Sequence, residues 1–169
     1  MIKPSVKYSL ICGAFLTGLF FVSIALGSNP MIEVRHLIVD LAIFFLFLFF
    51  AGKEYKDVRN AGILHFWQGI NLGFIVLIPS IIIFSLAIYV LFELNPILIE
   101  EYKEAAKALQ ESEKELFLEV YSEEILQEQI RVIDSISSID LVLKTFWKKL
   151  FAGFLIIPVV AVILRNKPK

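Results

Sequence analysis

The chain has 169 residues, 58% of them hydrophobic, with a mean hydropathy of +0.78 and a formal net charge of −1. Soluble domains are about 45–50% apolar, so an ordinary water-soluble globule is excluded and the surplus has to face something other than water. The near-zero charge is unevenly spread: residues 93–140 hold thirteen Asp/Glu against four Lys/Arg, leaving the rest of the chain net positive.

At about 20 residues per crossing of a ~30 Å hydrocarbon core, the apolar segments make four helices, near residues 8–26, 34–52, 67–92 and 145–164. The predicted fold class is all-α: four transmembrane helices in a single membrane domain, with an acidic amphipathic helical hairpin, residues 93–143, outside the membrane between the third and fourth. The first apolar run follows Lys3, Pro4 and Lys7. It exceeds the 7–15 residues of a signal-peptide core, so a retained helix is expected. Cys12 is the sole cysteine; preceded by Ile11 and followed by most of the run, it suits packing rather than lipidation. Gly13/Thr17 and Ala14/Gly18 are small residues four apart, which let a neighbouring helix approach closely; packing within the chain is the plainer outcome and a dimer seam the sharper one.

Gly27-Ser28-Asn29-Pro30 predicts a turn, and residues 53–60 a short charged loop. Residues 61–73 are amphipathic, suited to the interface with Trp67 as anchor. Pro79 should kink the third helix, with Ser80 and Ser85 bonding back to their own helix. Asn95-Pro96 has the pattern of an N-cap followed by the first helical residue. The helix after it carries Leu98, Tyr102, Ala105, Leu109 and Leu116 at three- and four-residue spacing. Charge pairs Glu100/Lys103, Glu104/Lys107, Lys107/Glu111 and Glu111/Lys114 support it, at about 0.2–0.5 kcal/mol each. A break near Tyr121-Ser122 starts a second arm with Leu126, Ile130, Ile133, Ile136 and Leu143 on one side. No Gly or Pro falls in residues 97–152, so that arm is expected to run on into the last span. There, Lys148 and Lys149 should snorkel outward and Pro158 introduce a kink.

Four crossings put both termini on one side. That side holds Lys3, Lys7, Lys53, Lys56, Arg59, Arg165, Lys167 and Lys169, against Arg35, Lys144, Lys148 and Lys149 close to the other face. This balance favours cytoplasmic termini.

Ionisable and polar groups within spans are the first places to look for function. His36 and Asp40 lie one turn apart near the start of the second helix, where they can form a proton or ion site, or a structural ion pair with Glu33 and Arg35 nearby. Gln68 and Asn71, near His65, form a polar stripe that can grip a ligand or satisfy itself. The candidate interaction stripe is Leu98, Tyr102, Leu109, Leu116, Leu126, Ile130 and Ile133. The acidic cluster has no Glu-x-x-His and no calcium loop. The chain also lacks a phosphate loop, nucleophile elbow, His-Glu-x-x-His and CxxC. No catalytic residue, metal or cofactor is therefore expected, and the acidic charge disfavours nucleic acid.

Three stretches carry a family likeness: the charged loop leading into Phe66-Trp67-Gln68-Gly69-Ile70 and Gly73-Phe74, Asn95-Pro96 before the acidic segment, and Ile163-Leu164-Arg165 with its basic tail. On these the chain resembles the domain-of-unknown-function family 4199 of Bacteroidota membrane proteins, over nearly its whole length. The resemblance implies a bacterial inner membrane and a four-helix layout but no chemistry. The expected partners are lipids and either a second copy or another membrane protein, the chain serving as an assembly or accessory subunit. The alternative is a small oligomeric transporter or channel component with a polar site near His36/Asp40.

Overall fold

The computed structural model describes residues 2–166. Its described residues form seven α-helices and no strand: α1 (Ile2–Ala25), α2 (Val34–Glu54), α3 (Phe66–Leu94), α4 (Ile97–Ser112), α5 (Lys114–Leu118), α6 (Glu123–Ser135) and α7 (Ser138–Leu164). Four stretches, Ser5–Ala25, Arg35–Arg59, Phe66–Leu94 and Ser138–Leu164, are long and apolar enough to cross a membrane. Only a helix or a closed barrel satisfies its own backbone in hydrocarbon. Each long apolar run accordingly resolves into one helix.

α3 packs most heavily on α7 and α1, and α2 closes the bundle against α7 and α1. The buried positions of α3 include Leu72, Val76, Leu77, Ile81, Phe84 and Ile88, recurring at the helical period. Glycine brings the backbones together. A Cβ built on Gly73 would stand 2.8 Å from Ile157, and one on Gly69 2.9 Å from Ala161, so α3 and α7 meet at a small-residue seam. The outward faces are also apolar, with Leu10, Phe15, Phe50, Ile82, Leu86, Phe151 and Leu155 exposed. Such a surface suits lipid and is unfavourable in water.

Several boundaries differ from those the sequence predicts. Residues 53–60 are mostly helical rather than a loop: α2 runs to Glu54 and a π-helical turn, Tyr55–Arg59, prolongs it. Tyr55 is buried there, and Lys56 Nζ donates to the Leu164 carbonyl at 2.9 Å, capping the end of α7. Residues 61–65 form no helix. Ala61 and Gly62 both adopt positive φ, and the helix begins only at Phe66. Leu64, fully buried, is clamped to the chain after α7: its N–H donates to Asn166 Oδ1 at 2.7 Å and its carbonyl accepts from Asn166 N at 3.0 Å.

Asn95 does not cap α4. Its N–H bonds to the Leu91 carbonyl at 2.9 Å and so closes α3, leaving Pro96 in the cap position. Nor does the second arm run unbroken into the last span. α6 stops at Ser135, and Ser137 opens α7 with a reciprocal cap: Asp140 N donates to Ser137 Oγ at 3.4 Å and Ser137 N donates to Asp140 Oδ2 at 3.0 Å. Two backbone donors satisfied this way make a helix start there. Leu143 therefore belongs to α7, where it is exposed. Ser80 bonds back to the Val76 carbonyl at 2.7 Å as expected, but the buried Ser85 Oγ has no partner.

α4 and α6 touch each other, Gln110 Nε2 donating to Gln129 Oε1 at 2.8 Å and Lys107 pairing with Asp134. Later residues of α4 meet earlier ones of α6, so the two run antiparallel. Two predicted helix pairs form, Glu100–Lys103 at 2.9 Å and Glu111–Lys114 at 3.5 Å; Lys107 reaches across to α6 instead.

Candidate functional site

The bundle holds one arrangement whose cost demands a reason. Asp40 of α2 and Lys149 of α7 face each other across the helix seam, Lys149 Nζ donating to Asp40 Oδ2 at 2.5 Å. Lys149 is only 7% exposed, and its ammonium also lies 4.4 Å from the centre of the Phe84 ring, a favourable cation–π position. From Leu164 back to Lys149 is about 22 Å at 1.5 Å per residue. Asp40 lies within the candidate span Arg35–Arg59 and Lys149 within Ser138–Leu164, both nearer the end at the α1–α2 loop.

This corrects the expectation that Lys149 snorkels outward with Lys148. Lys149 follows the buried Val142 by seven residues and precedes the buried Gly153 by four, so helical periodicity places it on the packed face. That spacing was the available signal. The stem packs in the bundle, and the ammonium meets a carboxylate where it would otherwise meet apolar side chains.

His36 and Asp40 do not pair with each other. They border a shared cavity of about 40 Å³, with Thr145, Lys148 and Lys149, roomy enough for a water molecule. His36 Nε2 lies 3.0 Å from Ser28 Oγ, which donates to Glu33 at 2.8 Å. Arg35 pairs with Glu33 at 2.9 Å. The Ser28 hydroxyl, with the Arg35 guanidinium beside it, holds the Glu33 carboxyl below the usual carboxylate range. This network fixes the α1–α2 turn to the first turn of α2 and leaves Asp40 to Lys149.

Gln68 and Asn71 lie toward the other end of the bundle, so the four polar candidates make no single site. Gln68 Oε1 accepts from His65 N at 3.0 Å and from Asn60 Nδ2 at 3.2 Å, tying the turn to the start of α3. Asn71 is exposed. The apolar stripe is divided as well. Tyr102 and Leu126 are buried, Leu98, Ile130 and Ile133 half-buried, and Leu109 and Leu116 exposed. On α4 the buried residues are Ile99, Tyr102 and Ala106, a face rotated from the predicted one, with Tyr102 held by Lys144 of α7.

A chain of helices with four spans of this length and an ion pair enclosed between two of them has the make-up of a multi-pass membrane protein. It belongs to the family described as protein of unknown function (DUF4199), whose model matches residues 7–166. Comparison with curated proteins and with solved structures gives no match.

Proposed function

We propose that this protein is an assembly or accessory subunit of a bacterial inner membrane, with the acidic α4–α6 hairpin outside the bilayer as its working part. Positive charge near the proposed cytoplasmic face supports placing both termini in the cytoplasm. Lys167, Lys169 and the side chain of Lys3, which contribute to that balance, lie outside the described residues. The observation that carries the reading is the hairpin's turn. Leu116 and Val120 are 68% and 72% exposed, with Leu118, Tyr121 and Ile125 exposed beside them, among Glu113, Glu115, Glu119, Glu123 and Glu124. Exposed apolar side chains at a turn, interspersed with acidic ones, suit a contact site. Its partner is a second copy or another membrane protein, and the reading assigns no catalysis.

Extraction in mild detergent tests this. The wild-type chain should come out in stoichiometric association, and Leu116→Glu with Val120→Glu should reduce that association about tenfold or more without loss of helix content. A wild-type monomer, or association unchanged in the variant, overturns it. One observation favours a second reading, a small oligomeric transporter or channel component: the enclosed Asp40–Lys149 pair, beside a cavity that His36 shares. That reading requires the associated species to be a homo-oligomer with a hydrated centre.

A further inference from the structure

α4 and α6 join through polar pairs, Lys107 with Asp134 and Gln110 with Gln129, so part of their apolar faces is not used against each other. Ala106 and Leu109 of α4, Val132 and Ile133 of α6, and Ile136 just after it instead line a cleft of about 510 Å³, closed by Met31 and Ile32 from the α1–α2 turn. Volume and lining match a small-molecule site, apolar with a few convergent polar groups. Leu109 and Val132 remain 41% and 53% exposed, so the cleft has an open mouth.

The polar groups have a direction. At the end nearest the spans, Lys144 Nζ donates to the Tyr102 hydroxyl at 2.9 Å. Tyr102 is buried, and because its oxygen accepts from Lys144, its phenolic proton can be donated onward into the cleft. Lys144 is the only cation among the lining residues described, and Glu113 and Glu128 stand at the far end. From Tyr102 to Glu113 is about 16 Å along α4. One cation and one hydroxyl donor match a single negative charge at the membrane end, and the carboxylates repel an anion from the other.

The single cation and hydroxyl donor at one end and the apolar walls beyond them fit one anionic head carrying a single apolar tail. We propose that this cleft binds a single-chain amphiphile with a carboxylate head, of the fatty-acid type, its head on Lys144 and Tyr102 and its acyl chain along Leu109, Val132 and Ile133. Loop and helix ends place Lys144 within reach of the bilayer surface, from which such a molecule would enter.

The test uses the full chain in phosphatidylcholine nanodiscs titrated with carboxyl-labelled dodecanoate, against empty nanodiscs. Saturable one-to-one binding above the empty-disc signal is expected. Lys144→Gln should weaken it about tenfold while changing dodecanol binding little. Leu109→Trp, at a half-open position that tolerates a larger side chain, should fill the cleft and weaken both. Helix content and monomer size are checked for each variant. A signal equal to that of empty discs, which means partition into the bilayer only, overturns the proposal. So does binding unchanged in both variants, or a cleft closed by a second copy, seen as a dimer that Leu109→Trp dissociates.

Discussion

Replacing Asp40 by leucine with Lys149 retained should destabilise the protein by about 3–5 kcal/mol, and Lys149→Met with Asp40 retained should do the same. In either single variant one charge stays enclosed without its partner, and the full desolvation cost of that charge falls on the folded state. The double variant Asp40→Leu/Lys149→Met should recover most of the loss, because two apolar side chains of similar volume replace a pair whose attraction is largely offset by its own desolvation. Unfolding in detergent, run as a double-mutant cycle, measures this through the coupling energy. If the double variant is destabilised by the sum of the two single effects, the two side chains are not coupled and do not form an enclosed pair. The double variant also separates the two functional readings. Under the assembly reading it stays folded and associated, whereas under the transporter reading it folds and loses function, since an enclosed ion pair retained in a span is then a working group.

The second large effect lies on the α1–α3 seam, where two glycines five residues apart should respond oppositely. A Cβ on Gly13 would stand 2.9 Å from the Ser80 carbonyl oxygen and 2.9 Å from Ile83 Cβ. The first is backbone and cannot rotate away, so α1 and α3 would have to separate. Separation also strains the hydrogen bond that Ser80 Oγ donates to the Ser9 carbonyl at 3.0 Å. Gly13→Ala should cost about 1–3 kcal/mol, and Gly13→Leu more. Around Gly18 a Cβ would meet nothing within 4 Å, so Gly18→Ala should be neutral or stabilise α1 by up to about 1 kcal/mol. Thermal unfolding of the two variants side by side provides the comparison. Equal responses would contradict the seam. The Gly18 face also offers room for another helix, so the sequence pattern at residues 13–18 divides between an internal contact and an open one.

What is legible in the sequence follows from how local each determinant is. The four spans are readable because twenty consecutive apolar residues have few alternatives. Burial of Cys12, the break at Tyr121-Ser122 with Ser122 in the cap position, and close packing at Gly13 are readable from residue type and spacing. The features that escape such a reading depend on partners distant in the chain or on weighing one signal against another. Lys149 reads with Lys148 as a membrane-edge cation when adjacency outweighs its seven-residue spacing from Val142, and its partner lies 109 residues away. The π-helical turn after Glu54 exists because Tyr55 has a core to enter and Lys56 a helix end to cap, neither visible locally. Ser137-Ser138-Ile139-Asp140 does carry a capping signal, masked by an absence of Gly and Pro that suggests one unbroken helix. On α4 the predicted stripe and the buried face differ by a rotation, and the partner that Tyr102 meets, Lys144 of α7, is 42 residues away.

Assembly tip, amphiphile cleft and enclosed ion pair all depend on how the chain divides between lipid and water. Cysteine labelling in opened membrane fragments, with both faces accessible, tests that division most directly. In a Cys12→Ala background, single cysteines replace Glu104, Ser112 and Glu124 on the α4–α6 segment, and Phe50, Leu86 and Val159 on outward faces of the long helices. All six positions are exposed in the isolated chain, so differences in reaction with a membrane-impermeant maleimide report on lipid. Rapid labelling is predicted at the first three, and protection at the last three until the membrane is dissolved. Labelling at positions 50, 86 and 159 as fast as at position 104, with lipid still present, would contradict it.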